Sequence, residues 1–260
     1  MKWRLPMRKV AIIQARMGSS RLPGKVLLKI AGKPMLSWVV ERVRRAKQVD
    51  SVGVATTTDA SDDAIVAACA EWGYPVYRGS QFDVLDRYYQ AARQFQADMI
   101  IRVTADCPLI DPDVIDLTVS ACLEAGVDFA ANRLPPPWKR TYPIGMDTEV
   151  CWFAGLERAW KEADQTFERE HVMPYFYDQE GRFRIRLIDH DRDYGMQRWT
   201  VDTPEDLDFM RKLVEFFPGR DDFSWLEVLE IVQQHPELAQ INAGVAAKHA
   251  QVVDERAKRK

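Results

Sequence analysis

The chain reads as an α/β protein built on a mostly parallel sheet, and two features of the sequence predict this. Short β-branched runs alternate with amphipathic stretches through the first half, the pattern of successive βαβ units. A glycine- and serine-rich loop carrying basic residues follows the first of those runs, where an open α/β sheet presents its ligand-binding edge. The composition agrees: 260 residues, 47% hydrophobic and 29% charged, supply one sizeable core or two small ones and exclude a disordered or fibrous chain.

Val10 to Ile13 is the first expected strand, and Pro34 to Ala46, with apolar residues at helical spacing and a charged outer face, the first helix. The alternation continues as strand Ser51 to Thr56, helix Asp62 to Trp72, strand Pro75 to Tyr77, helix Val84 to Phe95 and strand Met99 to Val103. In Asp111-Pro-Asp113 the first carboxylate suits a cap and Pro112 the first helical position, so a helix is expected over Val114 to Glu124. Residues 132–150 are rich in proline, glycine and polar side chains and read as an irregular excursion that walls a pocket. Beyond it come helices at Gly155 to Glu162 and Phe167 to Tyr177 and strands at Phe183 to Leu187 and Arg198 to Val201. Terminal helices then start at Pro204 and Trp225, and no internal repeat is visible.

Thirty-six Lys plus Arg against 39 Asp plus Glu give a net charge of -3, so no global positive field exists to hold a polyanion. No nucleic-acid partner is expected, and any bound anion must be held locally. Cys69, Cys107, Cys122 and Cys151 are scattered without a CxxC pair, which suggests neither a disulfide framework nor a zinc cluster and fits a reducing cytoplasm. No apolar run approaches the roughly 18 residues of a membrane helix, and the run at Val10 is too short for a signal-peptide core. Residues 1–7 are expected to be an extension, Met7 being an alternative start, and the basic tail over 244–260 a solvated terminus. Trp38, Trp160 and Trp225 lie on periodic segments and read as core, and Cys107 as a small packing residue.

The segment Gln14-Ala-Arg-Met-Gly-Ser-Ser-Arg-Leu-Pro-Gly-Lys25 carries the most chemistry. Gln14, Ala15, Arg16, Gly18, Ser19, Ser20, Arg21 and Lys25 are candidates to hold a nucleotide, with Arg16, Arg21 and Lys25 offsetting phosphate charge. The loop is not a Walker A motif, because Gly18 to Gly24 encloses five residues instead of four and Val26 stands where Ser or Thr is needed. GxGxxG is absent, which argues against NAD and FAD. An exposed turn with incidental basic residues is the competing reading.

Phosphates held at this edge call for a divalent ion, and Mg²⁺ takes one or two carboxylates plus phosphate oxygens. Asp106 and Asp202 each follow an expected strand and so fall at the sheet's carboxyl edge, where they could share one ion. Against this, Asp106 could be a turn cap, and Asp202 precedes a helix start with Thr203 as cap and Pro204 in first position. Arg78 and Ser80, after the expected strand Pro75 to Tyr77, carry hydrogen-bond donors at the same sheet edge, although Arg78 could instead pair with Asp83 or Asp86; Thr58 is a weaker candidate. The DxD patterns at Asp111 and Asp191 read as a helix cap and a loop.

Ile12 to Lys33 resembles the opening of the cytidylyltransferases that activate acidic sugars, such as the CMP-Kdo and CMP-sialate synthetases. Further blocks are similar to the spore-coat polysaccharide biosynthesis protein F family: Arg78-Gly-Ser80 with Asp83-Val-Leu-Asp-Arg87, Asp106-Cys-Pro-Leu-Ile-Asp111, Arg169-Glu-His171, and Arg198-Trp-Thr-Val-Asp-Thr-Pro-Glu-Asp206. The match spans nearly the whole chain and is specific as a set, though each block is weak alone. It implies a single three-layer α/β/α domain over 8–243 with a glycosyltransferase-A-like (nucleotide-diphospho-sugar transferase) fold, a nucleotide half to about 125 and a sugar half after it. CTP and Mg²⁺ are the implied ligands, with Asp106 and Asp202 holding the metal, Arg78 and Ser80 near the nucleotide, and a homodimer common among relatives. The implied acceptor region includes Asp147 and Glu149 for sugar hydroxyls, Arg169 and Arg198 to fork a carboxylate, and His171 as a conceivable base. The expected reaction is CTP plus an acidic sugar giving CMP-sugar and pyrophosphate. A glycosyltransferase on the same scaffold and a catalytically silent nucleotide-binding protein are the alternatives.

Overall fold

The computed structural model describes residues 7–135, 138 and 140–246, so most of the expected N-terminal extension and basic tail lie outside the described residues. Strand β1 (Lys9–Gln14) opens the chain, and a 3-10 turn (Lys25–Leu27) leads into a small hairpin of β2 (Lys29–Ile30) and β3 (Lys33–Pro34). Then follow α1 (Met35–Val43), β4 (Ser51–Thr57), α2 (Asp63–Trp72), β5 (Val76–Gly79), α3 (Val84–Gln94), β6 (Met99–Thr104) and α4 (Pro112–Glu124). The second half holds β7 (Phe129–Ala131), β8 (Glu149–Trp152), α5 (Phe153–Glu162), α6 (Thr166–His171), α7 (Pro174–Tyr177) and β9 (Ile185–Leu187). Helices α8 (Pro204–Val214), α9 (Trp225–Gln234) and α10 (Pro236–Gln240) close it.

One seven-stranded sheet runs through both halves in the order β5-β4-β1-β6-β8-β7-β9. Neighbours pair in parallel except at β8, which is antiparallel to both β6 and β7, so six strands share one direction and β8 alone is reversed. Alternate strand residues point to opposite faces. Ala11, Ile13, Ile101 and Val103 pack with α1, α2, α4, α8 and α9, whereas Val10, Ile12, Ile100 and Phe129 pack with α3, α5 and the α6–α7 segment. Two apolar cores with the sheet between them make the three expected layers.

Helix starts follow the capping chemistry read from sequence. Asp111 accepts the amides of Asp113 and Val114 with Pro112 in the first turn, and Thr203 and Asp206 form a reciprocal capping box at α8. Chain direction through the sheet reverses its progress between β1 and β6: β1 leads outward to β4, β6 outward to β8. The crevice at the carboxyl ends of β1 and β6 is the topological switch point, where open α/β sheets bind ligands.

Several expectations need correction. The excursion over 132–150 ends in β8, and β7 precedes it; neither strand was expected, because both are short and their runs do not alternate. Residues 198–201 are extended but form no ladder: Arg198 makes an isolated parallel bridge with Ile144, and Val201 donates to the Asp106 carbonyl at 2.8 Å. The expected helix from Phe167 to Tyr177 breaks at Val172, whose φ of +73° is left-handed, and restarts with Pro174 in its first turn. Arg78 lies inside β5, not after it. Among the described residues no helix is long and apolar enough to cross a membrane.

Candidate functional site

The loop after β1 is fastened to the ends of the neighbouring strands. Ala15 donates its amide to Ala55 at 3.1 Å, and the buried Asp62 carboxylate accepts the Met17 amide at 2.7 Å together with the Thr56 hydroxyl and the Thr57 amide, both at 3.0 Å. The Met17 carbonyl in turn accepts the amides of Ser19 and Gly24 at 2.8 and 3.0 Å, while Ser19 Oγ accepts the Leu22 amide at 3.3 Å. Gly24 takes a left-handed φ of +69°, which glycine adopts without strain, and turns the chain into the 3-10 turn that begins at Lys25. Gly18 and Ser20 occupy the outer part of the loop, where Gly18 has open space on its side-chain side.

This turn carries the Lys25 ammonium to the switch point. Its Nζ donates to Asp106 Oδ2 at 2.8 Å, to Asp202 Oδ1 at 2.9 Å and to the Val201 carbonyl at 2.9 Å. Burial alone would favour the neutral amine, but the two carboxylates outweigh it and hold the Lys25 pKa above its ordinary 10.5. Burial likewise opposes ionisation of Asp106, and the Lys25 charge together with the Thr104 hydroxyl reverses that, placing its pKa below 3.8. Asp202 also pairs with Arg21 at 2.9 Å and Arg198 at 3.1 Å. Arg198 forks Asp206, with Nε at 2.8 Å and Nη2 at 2.9 Å; Asp206 is fully buried and further accepts the amides of Asp202 and Thr203 and the Asn242 side chain. Cys107 is buried beside this group with its thiol pKa raised, by burial first and by Asp106 second, which fits a packing role and not a nucleophile.

A second group lies along the same edge. Arg102, near the end of β6, pairs with Glu149 at the start of β8 and reaches the Gln14 side chain at 3.3 Å. Arg140 pairs two-pronged with Asp147, whose pKa falls below 3.8 because Arg140 outweighs the burial that would raise it. Arg87, fully buried beneath Gly79 and Ser80, donates to the Ser80 carbonyl; burial lowers its pKa to about 10, and nearby Arg16 adds to that.

Of the residues singled out from sequence, the structure thus joins Arg21, Lys25, Asp106, Asp202 and Arg198 into one ionic cluster, and Gln14 with Glu149 through Arg102. Others are engaged elsewhere. Arg78 pairs with Asp63 at 2.7 Å, a partner different from Asp83 or Asp86, and donates to the Thr57 and Asp59 carbonyls. Thr58 is exposed and donates its amide to Gly79, and the Ser80 hydroxyl accepts the Asp83 amide at 3.0 Å. Arg169 clasps Asp83 at 2.6 Å and the Trp160 carbonyl at 2.7 Å, tying α6 to the start of α3, and half-buried His171 ends α6. Sequence reasoning missed Arg102, Asp206, Asp62 and Asn242. Arg102 had a signal: a charged residue inside an apolar strand that is covered on both faces.

Lys25 shows that the two carboxylates accept a shared cation. Both supply hard oxygen donors, and the Asp106 and Asp202 oxygens lie within hydrogen-bond length of one point, the Lys25 ammonium. That set fits an oxygen-seeking ion that takes its remaining ligands from a bound phosphate.

A three-layer, mostly parallel sheet with a basic loop and opposed carboxylates at its switch point defines a nucleotidyltransferase of the nucleotide-diphospho-sugar transferase fold. The family model for cytidylyltransferase matches residues 10–242, and the chain belongs to that family. It is 31% identical to the spore coat polysaccharide biosynthesis protein SpsF of Bacillus subtilis, over 88% of this chain and 95% of that protein. A 3-deoxy-manno-octulosonate cytidylyltransferase from Anaeromyxobacter is 33% identical over 82% of this chain and 99% of its own length. The solved structure of a cytidylyltransferase from Leptospira borgpetersenii superposes with a TM-score of 0.84 at 33% identity, covering 94% of this chain and all of that one.

Proposed function

We propose that the protein transfers CMP from CTP to a sugar acid and releases pyrophosphate, in the assembly of a surface polysaccharide or related glycan. The observation that carries this is the junction at the switch point, where one cation from the loop after β1 meets carboxylates that follow β6 and precede α8. The names of the SpsF and 3-deoxy-manno-octulosonate relatives support the polysaccharide setting and the acidic acceptor.

In this reading a sugar hydroxyl attacks the α-phosphorus in line and gives up its proton to water; the new P–O bond forms as the bond to the β-phosphate bridge oxygen breaks, and pyrophosphate leaves with that electron pair. Arg16, Arg21 and Lys25 hold the leaving phosphates, and the loop from Gln14 to Arg21 seats the nucleotide by its backbone. Asp106 and Asp202 are the residues to hold Mg²⁺, which when bound supplies charge neutralisation at the α-phosphate. Arg198 donates to the Asp202 carboxylate, and Asp206 accepts the Asp202 backbone amide. Glu149 and Arg102 bring paired charges to the edge where the acceptor enters. Arg169 and Arg78, already clasped to Asp83 and Asp63, serve the scaffold around the site.

The test is a pyrophosphate-release assay with CTP, UTP, GTP and ATP against a panel of 2-keto-3-deoxy sugar acids and neutral aldoses, with products weighed by mass spectrometry. CTP-dependent pyrophosphate with a CMP-sugar product is expected. Sugar transfer from a nucleotide sugar without pyrophosphate would overturn the reading in favour of a glycosyltransferase.

A further inference from the structure

We propose that Lys25 is a resident stand-in cation: it keeps the place between Asp106 and Asp202 that a divalent ion requires, and gives it up only when nucleotide phosphates arrive to take its ammonium. This rests on the reading of Asp106 and Asp202 as metal-holding residues and adds to it an order of binding.

An ammonium group has three N–H donors and no acceptor. All three are satisfied here, by Asp106 Oδ2 at 2.8 Å, Asp202 Oδ1 at 2.9 Å and the Val201 carbonyl at 2.9 Å. Lys25 therefore has no donor left for a phosphate while it stays in this position. A divalent ion held by these two carboxylates would need the oxygens that the ammonium now occupies. The two cations exclude each other.

Charge makes the exclusion stronger. Asp202 already faces Arg21 at 2.9 Å and Arg198 at 3.1 Å besides Lys25, and Arg198 is itself fixed by Asp206. A divalent ion entering alone would meet three positive side chains around one of its two carboxylates. A nucleotide triphosphate changes that balance, because it brings the ion its own oxygen ligands and offers the displaced ammonium a new partner.

The exchange needs little movement. The Lys25 backbone is held by the turn at Gly24, with the Lys25 amide donating to the Leu22 carbonyl at 3.2 Å and the Leu28 amide donating to the Lys25 carbonyl at 3.0 Å. The four-carbon stem is long and flexible, so the head group can swing while its anchor stays. Asp106 and Asp202 keep their spacing during the swing, since the Asp106 carbonyl is bonded to the Val201 amide at 2.8 Å and the Thr200 hydroxyl at 3.1 Å.

Mn²⁺ binding to the full chain, read from the loss of the free-ion paramagnetic resonance signal, tests this without turnover. Wild type is expected to bind Mn²⁺ tightly only with CTP present. Lys25→Met should bind one Mn²⁺ per chain without nucleotide, roughly 10²-fold tighter than wild type, the scale set by removing one unit charge near 4 Å. Adding Asp106→Asn should abolish that gain. Lys25→Gln, which keeps hydrogen-bonding capacity without the charge, should show the same gain and serves where Lys25→Met does not fold. If wild type binds Mn²⁺ as tightly without CTP, or if neither variant gains nucleotide-free binding while wild type with CTP still depends on Asp106, the stand-in role is overturned and the carboxylate assignment stands. If wild type shows no Asp106-dependent Mn²⁺ binding even with CTP, the metal assignment itself falls, and this proposal with it.

Discussion

The backbone carbonyl of Asp106 accepts the amide of Val201 at 2.8 Å, and this bond joins the segment after β6 to the segment before α8. Thr200 adds its hydroxyl to the same carbonyl at 3.1 Å. Two carboxylates distant in sequence are thus spaced by main chain, and their side chains need only the right charge between them.

Replacing either carboxylate by its neutral isostere keeps the shape and removes the charge. Asp106→Asn and Asp202→Asn should each lower kcat by roughly 10²-fold or more, the cost of one preorganised electrostatic contact. Pyrophosphate release under saturating CTP measures this, and near wild-type turnover in either variant would sink the assignment.

Gly145, in the excursion before β8, is pressed against the segment before α8. Its φ is +110°, and a Cβ there would stand 2.8 Å from the Thr200 amide nitrogen and the Trp199 carbonyl carbon. Gly145→Ala should cost about 1–3 kcal/mol in urea unfolding and lower kcat, by forcing apart the Ile144 to Trp199 pairing that leads to Asp202. Gly32, also left-handed at φ +79° but with open space around it, is the control. Gly32→Ala should cost about 1 kcal/mol and leave kcat unchanged.

Asp206 is fully buried and its carboxylate accepts from Arg198, Asn242 and two backbone amides. Asp206→Asn should destabilise by roughly 3 kcal/mol, because it strands the Arg198 guanidinium without its buried partner. Asn242→Ala, which removes one neutral donor, should cost only about 1 kcal/mol. Guanidinium unfolding midpoints distinguish the two.

Acid should weaken the fold through the same carboxylates. Burial opposes the ionisation of Asp106, Asp147 and Asp206, yet Lys25, Arg140 and Arg198 respectively hold all three pKa values below the ordinary 3.8. A carboxylate depressed in the folded state stabilises it fully above its ordinary pKa, and that contribution is lost as pH falls through the folded value. Tm should therefore be insensitive to these groups between pH 5 and 7 and drop steeply below about 4. Asp206→Asn should show a shallower acid limb than wild type, and an unchanged slope would refute this linkage.

The first half was legible because β1, β4 and β6 are rich in apolar and β-branched residues and because α3 and α4 start at caps of their own, Asp83 and Asp111. β7 and β8 were not, since a three- or four-residue strand carries too few positions for an alternation to show, and their pairing is decided by neighbours far away in sequence. Lys25, Asp106 and Asp202 could be picked out by residue type and by their place after expected strands. That one ammonium bridges both carboxylates could not, because the bridge depends on the backbone bond between Asp106 and Val201. Arg169 and Arg78, singled out by their motifs, pair with Asp83 and Asp63, and those partners could not be read from the sequence, because they lie on other elements of the fold.

The reversed strand β8 has a consequence for how such an enzyme diversifies. Because it runs against its neighbours, its first residue, Glu149, arrives at the edge where the parallel strands finish. The connection from β7 therefore begins and ends on the ligand side of the sheet, and it can be lengthened, shortened or rewritten without shifting the register of β1, β4, β5 or β6. A change confined to that one loop reshapes the rim of the crevice and leaves the sheet beneath it intact.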